Sequence, residues 1–151
     1  MIVTLDLADG VCALELLAFQ RRAYQTEADL LNYPLLPPLH ETLPQLMDSG
    51  ECILAWREDG ELIGMIGTYE TPTHLDITRF AVSPNRRREG IARKLLRALS
   101  NNHPIRTLTV STAAGNAPAL QLYSSEGFVP THESHTAEGL PLIHLQRNAT
   151  R

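Results

Sequence analysis

The short run Arg87-Arg88-Glu89-Gly90-Ile91-Ala92 combines residue types that suit the binding of an anion. A glycine allows a tight turn that brings backbone N–H groups close to a ligand, and arginines add charge-assisted contacts. A helix that begins here also points its partly positive N-terminus at the same place. A solvated basic surface is the alternative, so the elements around the run must decide between the two.

Those elements favour a phosphate site. The run follows an apolar, strand-like segment, Ile77–Val82, which ends at Ser83-Pro84. Apolar residues then recur every three or four positions, which predicts an amphipathic helix. They are Ile91, Ala92, Leu95, Leu96 and Leu99. We therefore interpret residues 87–93, called the cradle below, as an anion site between a strand and a helix.

A second stretch places an amide and a phenol on one face of a later helix. Asn116, Ala119 and Tyr123 stand at helical spacing, Asn116 is a favourable N-cap, and Gly127 ends the pattern. Taken alone, these residues are better explained as a capping asparagine and a half-buried core tyrosine than as part of a site. The presence of the cradle favours a second half of one binding site.

The remaining pattern predicts a mixed α/β protein. A helix is expected over Val11–Tyr24, followed by irregular, proline-stiffened chain that ends near Leu39. Four apolar residues are expected to share the buried side of that helix: Leu14, Leu17, Ala18 and Phe19. The other predicted elements are a short helix, Thr42–Met47, and the strands Ile2–Leu5, Glu51–Arg57, Glu61–Tyr69, Leu75–Val82, Ile105–Thr112, Phe128–Thr136 and Pro141–Arg147.

Composition limits the function classes. With 151 residues we expect one domain over 1–151, and a net charge of −4 argues against broad nucleic-acid binding, including binding through Arg86–Arg88. No apolar run is long enough for a bilayer and the first residues lack a secretory pattern, so we expect a cytoplasmic protein with no membrane partner. Cys12 and Cys52 are expected to be buried free thiols rather than a disulfide. The histidines lack metal-ligand spacing, since His132 and His135 should face opposite sides of a strand, and no metal is expected.

Together, the two stretches resemble the GNAT superfamily of acyl-CoA N-acyltransferases. Val82-Ser83-Pro84 followed by Arg87 to Ala92 is similar to the family's cofactor motif, which is Arg or Gln, two residues, Gly, one residue, and Gly or Ala. Asn116 and the run Tyr123-Ser124-Ser125-Glu126-Gly127-Phe128 are similar to its later helix and the Gly-Phe that follows. The order of elements agrees over about Glu51 to Arg147. This resemblance implies a single-domain, mixed and mostly antiparallel sheet of six to seven strands flanked by about four helices.

The resemblance also implies acetyl-CoA as cofactor, with coenzyme A as product. Backbone N–H groups from Arg88 to Arg93 would hold its pyrophosphate, and the strand that ends at Ala81-Val82 would splay from the strand at Leu108–Thr112. The amides of the pantetheine arm would then pair with the exposed strand edge. A backbone N–H near Phe80 to Val82 would stabilise the thioester oxygen. The residues expected to contact the cofactor are Ala81, Val82, Arg87, Arg88, Glu89, Gly90, Ile91, Ala92, Arg93, Asn116, Ala119 and Tyr123.

Acetyl transfer to an amine requires a group that takes a proton and a group that protonates the departing thiolate. Tyr123 is the predicted acid, on its helix face and on the family resemblance. Asp76, near the start of the strand that leads to the cradle, is a candidate base, and a water chain is an alternative. Glu27, His40 and Glu41 flank the proline-rich segment that usually borders the acceptor pocket in this family. The acidic Glu27, Asp29 and Glu41 favour a cationic acceptor such as a small amine.

Two hypotheses from different classes follow. The first is an acetyl-CoA-dependent N-acetyltransferase that acts on a primary amine of a small molecule or peptide, as a monomer or a homodimer. The second is a non-catalytic module that binds or senses acyl-CoA. Both need the cradle, whereas only the first needs an acid and a base.

Overall fold

The computed structural model describes residues 1–33 and 37–149 and contains one seven-stranded sheet. The strands are β1 (Ile2–Leu5), β2 (Cys52–Glu58), β3 (Glu61–Glu70), β4 (Leu75–Val82), β5 (Leu108–Ala113), β6 (Val129–His135) and β7 (Pro141–Arg147). Their order across the sheet is β1-β2-β3-β4-β5-β7-β6. Every neighbouring pair is antiparallel except β4 and β5, which run parallel. The mixed, mostly antiparallel α/β sheet predicted from the sequence is confirmed.

The parallel pair separates soon after it forms. The β4–β5 ladder joins Leu75 to Leu108, Asp76 to Thr109 and Ile77 to Val110, and then stops. Both strands continue beyond this point, β4 to Val82 and β5 to Ala113, without pairing to each other. The sheet therefore opens into a cleft between β4 and β5, called the splay below, where the family resemblance implies one.

Apolar side chains pack on both faces of the sheet. Alternate residues of β2 enter different clusters, because successive strand side chains point to opposite faces. Ile53 and Ala55 join the cluster beneath α1 (Gly10–Leu31), while Leu54 and Trp56 pack against the other cluster. That second cluster contains residues of α4 (Ile91–Asn102) and α5 (Ala117–Ser125). The splay consequently has α1 on one face and α4 and α5 on the other.

Helix α1 is longer than predicted and buries a different stripe. It continues through Leu31 because no proline or glycine interrupts it, and it ends where Asn32 adopts a left-handed conformation whose N–H bonds back to Ala28 and Asp29. The predicted buried positions Leu14 and Ala18 are exposed. The buried set is Ala13, Leu16, Leu17, Phe19, Gln20, Ala23, Tyr24 and Ala28. This set includes two polar side chains, which an apolar pattern cannot reveal.

The segment after α1 also differs from prediction. Residues 34–36 of the proline-rich segment lie outside the described residues, and Pro37–His40 forms a helical turn, α2, where irregular chain was expected. Helix α3 (Leu43–Met47) lies within the predicted range and begins with a reciprocal capping box between Thr42 and Gln45. No helix within 1–33 and 37–149 is long and apolar enough to cross a membrane.

Both cysteines are free, but neither is buried as predicted. Cys12 is half-buried and Cys52 is exposed, since the first lies on the outer side of α1 and the second at the start of β2. His132 and His135 do fall on one strand, β6, and the His132 ring stacks on His144 of β7 with 4.1 Å between ring centres.

Candidate active site

The cradle comprises the bend that precedes α4 and the first three residues of that helix. A 3₁₀ turn over Pro84–Arg86 leads into it, Arg88 has a φ of 68°, and Gly90 has a φ of 78°. Gly90 is the N-cap of α4 and supplies no side-chain cap. Within the described part of the chain, no acceptor meets any backbone N–H from Arg87 to Arg93. A helix start with so many free donors matches the requirement of a pyrophosphate.

The charged side chains around the cradle divide into two groups. Arg86 is held by Glu58 at 2.6 Å and Glu89 at 2.7 Å, and Arg93 is held by Glu126 at 2.7 Å. Arg87 and Arg88 are exposed and form no ion pair within residues 1–33 and 37–149. The Arg93 and Glu89 side chains are thus committed to the protein, so that only their backbone groups remain available to an anion.

Lys94 occupies the first turn of α4 beside the cradle. Its N–H closes that turn onto the Gly90 carbonyl, and its ammonium lies 5.2 Å from the centre of the Trp56 ring on β2. A cation over an aromatic face is attracted by the ring's negative π cloud. The lysine charge is therefore held near the cradle.

A cavity of about 480 Å³ occupies the splay and extends toward α1. Six of the residues predicted to act on cofactor or acceptor line it together: Glu27, His40, Glu41, Asn116, Ala119 and Tyr123. They come from α1, the α2 segment and α5, which the sequence separates widely. The structure thus brings the predicted acceptor residues and the α5 half of the predicted cofactor site into one cavity, whose lining does not include residues 87–93.

Asp76 does not belong to this group. It lies at the paired beginning of β4, opposite Thr109 of β5, and its carboxylate accepts a hydrogen bond from the Thr109 hydroxyl at 2.7 Å. The cavity lining instead includes the later β4 residues Ile77 to Phe80. The structure thus places Asp76 below the opening of the splay, away from the position expected of a base.

Tyr123 projects from α5 into the cavity and is only 4% exposed. Its ring packs against Phe80 at 6.2 Å and Phe128 at 5.4 Å between ring centres. Burial, reinforced by the nearby Tyr24 and Glu27, raises the pKa of the Tyr123 phenol well above its ordinary value. The phenol is consequently protonated throughout the neutral range and is available as a hydrogen-bond donor.

Glu27 lies half-buried on α1 and reaches across the splay. Its carboxylate accepts a hydrogen bond of 2.8 Å from the Asn116 side chain at the start of α5. Burial raises the pKa of Glu27, against the opposing effects of the Asn116 hydrogen bond and the positive charge of Arg87. A carboxylate with a raised pKa in a cavity is a stronger proton acceptor than an exposed one.

A buried arginine forms the other end of the cavity lining, and the sequence analysis missed it. Arg79 of β4 is 8% exposed, and its guanidinium donates to Glu41, Glu51 and Gln20. All five guanidinium N–H donors are used in these bonds. The available signal was an arginine inside a predicted strand, directly before the apolar run Phe80–Val82.

Gly67 of β3 makes room for this arginine. A Cβ at Gly67 would lie 2.6 Å from the Arg79 Cγ and 2.9 Å from the Ile53 Cδ1, so the stem of Arg79 lies directly across the glycine. The β3–β4 register shifts at this point, between Gly67 and Thr68. The irregular pairing and the missing side chain together position the guanidinium.

The shift also determines which groups of β4 face the splay. Ser83 donates its N–H to Ile63 of β3. In a strand, the backbone N–H and C=O groups of successive residues point to alternate edges. Phe80 and Val82 therefore direct these groups away from β3 and toward the splay. Phe80 already has a partner there. Its N–H donates to the Tyr24 hydroxyl at 2.8 Å, and that hydroxyl donates to the Phe80 carbonyl at 3.2 Å.

The fold and the site together combine a helix start whose backbone N–H groups lack acceptors within the described chain with a cavity between two separating strands. The chain matches the model of the acetyltransferase (GNAT) family over residues 14–128. It therefore belongs to the GNAT acetyltransferase family.

Similar proteins agree with this assignment at the level of the fold. The chain is 34% identical over 143 residues to the UPF0157 protein YqkA of Bacillus subtilis (strain 168), in an alignment that covers 94% of this chain and 42% of YqkA. The chain thus spans less than half the length of that curated relative. The ribosomal-protein-S18-alanine N-acetyltransferase of Escherichia coli superimposes with a TM-score of 0.72 at 19% identity, covering 100% of this chain and 96% of that chain. An aminoglycoside 6'-N-acetyltransferase complexed with coenzyme A gives 0.72 at 17% identity, with coverages of 100% and 98%.

Proposed function

We propose that this chain is an acetyl-CoA-dependent N-acetyltransferase that transfers an acetyl group to a primary amine of a small molecule or peptide. The observation that carries the proposal is the set of backbone N–H groups from Arg87 to Arg93 that have no acceptor in the described chain, at the start of a helix and beside an open strand edge. Such an arrangement suits a pyrophosphate joined to an extended arm that contains amides. Family membership supplies the reaction class.

In this proposal the ligand enters from the cradle and runs along the splay. The N–H groups of the cradle and the free side chains of Arg87 and Arg88 bind the pyrophosphate. Val82 offers its N–H and C=O to the arm, as a neighbouring strand would. Acetyl-CoA, when bound, supplies an activated thioester whose carbonyl carbon accepts a nucleophile. Asn116 and Ala119, in the first turn of α5, contact the arm from the other side of the cavity.

Proton movements are assigned to two residues of the cavity. The carboxylate of Glu27 accepts the proton that the amine loses as its nitrogen bonds to the acetyl carbon, and passes it to solvent. As the bond between that carbon and sulfur breaks, the electron pair remains on sulfur, and the Tyr123 phenol stabilises the thiolate by donating a hydrogen bond. Burial raises the pKa of Tyr123, so the phenol keeps its proton. We therefore assign the proton that finally binds to sulfur to solvent and not to Tyr123.

Charge in the cavity supports a cationic acceptor. Glu27, Glu41 and Glu51 carry negative charge, while Arg79 is the arginine of the lining. Since all five guanidinium donors of Arg79 are engaged, none is left to bind an acceptor carboxylate without a rearrangement. We therefore propose that His40, Glu41 and Glu27 border the acceptor. We also propose that the acceptor molecule carries no carboxylate next to its reacting amine.

Binding of coenzyme A provides the direct test. The ligand should raise the melting temperature, because a ligand at 100 times its Kd stabilises a fold by about 2.7 kcal/mol. Gly90→Trp should abolish this rise, since a side chain there extends into open space over the cradle. Gly60→Trp is the matched control: Gly60 has the same φ of 78° and equally open surroundings, but lies in the β2–β3 turn.

Two outcomes would contradict the proposal. If Gly90→Trp and Gly60→Trp responded equally to coenzyme A, the cradle would not be the pyrophosphate site. If the unmodified protein bound acetyl-CoA but released no free thiol with any member of a broad amine panel, the acyl-CoA-sensing module would replace the enzyme. Turnover confined to acidic acceptors would refute the assigned charge preference.

A further inference from the structure

The backbone N–H expected to meet the thioester oxygen is already occupied. Phe80 faces the splay next to Tyr123, which makes it the natural donor to that oxygen. Its N–H, however, donates to the Tyr24 hydroxyl at 2.8 Å. A backbone N–H carries one hydrogen, so the Phe80 group cannot serve a ligand directly while this bond exists.

Tyr24 is held firmly in this position. It shares one face of α1 with Gln20 and Glu27, at spacings of four and three residues, and it is 9% exposed. Gln20 is fixed by Arg79 at 2.8 Å, and Glu27 by Asn116 at 2.8 Å. The tyrosine ring therefore lies between two anchored side chains, with its hydroxyl at the cavity wall.

The two hydrogen bonds of this hydroxyl differ in length. It accepts from the Phe80 N–H at 2.8 Å and donates to the Phe80 carbonyl at the longer distance of 3.2 Å. Rotation about the bond between the ring and the oxygen redirects the hydroxyl hydrogen while the shorter bond remains. A hydroxyl that accepts a hydrogen bond is also a better donor, because the bonds polarise one another.

We infer that the Tyr24 hydroxyl, supported by the Phe80 N–H, is the group that contacts the thioester oxygen and stabilises the negative charge that develops there. The inference rests on the proposed function. During attack the π electron pair of the carbonyl moves onto oxygen, Tyr24 donates a hydrogen bond without giving up its proton, and the pair returns as the bond to sulfur breaks. Burial raises the pKa of Tyr24, which keeps the hydroxyl protonated across the neutral range.

This assignment separates three roles among neighbouring groups. Tyr24 interacts with the oxygen, Tyr123 with the sulfur, and Glu27 with the amine. The side chains of Tyr24, Glu27 and Tyr123 all line the same cavity. Tyr24 is thereby a catalytic residue supplied by α1, the helix on the acceptor side of the sheet.

Tyr24→Phe is the test, because it removes one oxygen and keeps the ring. Coenzyme A, which has no acetyl carbonyl, should bind the variant with unchanged affinity, while kcat should fall by about 10-fold. The loss should be below the roughly 100-fold typical of a deleted oxyanion donor, since the released Phe80 N–H partly replaces the hydroxyl. Tyr69→Phe, at an exposed position outside the cavity lining, is the control and should leave kcat unchanged.

Infrared difference spectroscopy supplies a measurement that a purely structural role would not affect. Acetyl-CoA labelled with carbon-13 at its thioester carbonyl should show a lower C=O stretching frequency when bound to the unmodified protein than when free in solution. Tyr24→Phe should reduce that shift, and fluorotyrosine at position 24, a stronger donor of similar size, should increase it.

An unchanged C=O stretch and an unchanged kcat in Tyr24→Phe would overturn the inference. Tighter binding of acetyl-CoA with unchanged kcat would also overturn it, because the hydroxyl would then block the carbonyl site rather than serve it. Failure of the unmodified protein to bind coenzyme A is a separate result, which would refute the proposed function and this inference together.

Discussion

At the scale of residues, the site depends on polar side chains whose pKa values are changed by burial. Glu27 is the clearest case. Its carboxylate is half-buried beside Asn116, and burial raises its pKa. The same environment that makes ionisation costly makes the carboxylate a better proton acceptor once it is ionised.

This predicts a specific pH dependence. The proposed base acts when ionised, so kcat/KM should fall as the pH decreases through the Glu27 pKa, which lies above the ordinary glutamate value of 4.5. Glu27→Gln should lower kcat by about 10²- to 10⁴-fold and remove this acidic limb. The measurement is a pH–rate profile of both proteins with the amine well below its KM, where the rate reports kcat/KM, and at saturation, where it reports kcat.

Two further variants frame the result. Asn116→Ala removes a hydrogen bond that lowers the Glu27 pKa, so the limb should move to higher pH. Glu61→Gln, at an exposed position at the start of β3, should leave the profile unchanged. A normal acidic limb in Glu27→Gln would assign the proton to another group.

At the scale of elements, β3 and β4 position the site by an irregularity. Their register shift turns Phe80 toward the splay, and Gly67 leaves space for the Arg79 stem. The buried guanidinium then aligns Glu41 and Glu51 at the acceptor end. A regular ladder with an ordinary side chain at Gly67 would provide neither feature.

Gly67→Ala tests this arrangement. The added methyl group would meet the Arg79 Cγ and the Ile53 Cδ1 at distances under 3 Å. Overpacking of this kind costs about 1–3 kcal/mol, measured as the free energy of unfolding in urea. Gly10→Ala, where a Cβ meets nothing within 4 Å, should change stability by less than about 0.5 kcal/mol. Equal stabilities for the two variants would mean that Arg79 moves aside at little cost.

At the scale of the whole molecule, a narrow join connects two parts of the sheet. Strands β1 to β4 lie on one side and β5 to β7 on the other, and the β4–β5 ladder is confined to residues 75–77 and 108–110. A ligand in the splay would contact both sides at once. Ligand binding should therefore stabilise the strands on both sides of the splay as well as the cradle.

Hydrogen exchange can measure this effect. Coenzyme A should slow amide exchange at residues 87–93 and also along the parts of β4 and β5 that do not pair with each other, residues 78–82 and 111–113. Slower exchange follows because a bound arm restricts the opening of backbone groups that otherwise face the cavity. Protection of residues 87–93 alone would place the ligand on the surface of the cradle and outside the splay.

Sequence patterns predicted the parts of this molecule that follow simple periodicity. The strands, the cradle and the helix of Asn116 and Tyr123 each have a local signal in spacing, glycine or capping. The pattern failed along α1, because Gln20 and Tyr24 are buried by partners on β4 that lie more than fifty residues away. The distance of Asp76 from the cavity lining has a related cause, since the point at which two parallel strands separate is a property of their pairing and not of either strand alone.

The contact between Lys94 and Trp56 gives the protein an optical signal of its own. Trp56 is the only tryptophan of the chain, so its emission reports on a single location. The ammonium that lies over its ring belongs to the first turn of α4, where the cradle ends. An anion bound at that helix start competes for the lysine charge and thereby changes the electric field at the indole. Occupancy of the cradle can accordingly be followed by intrinsic fluorescence, without a label and without turnover.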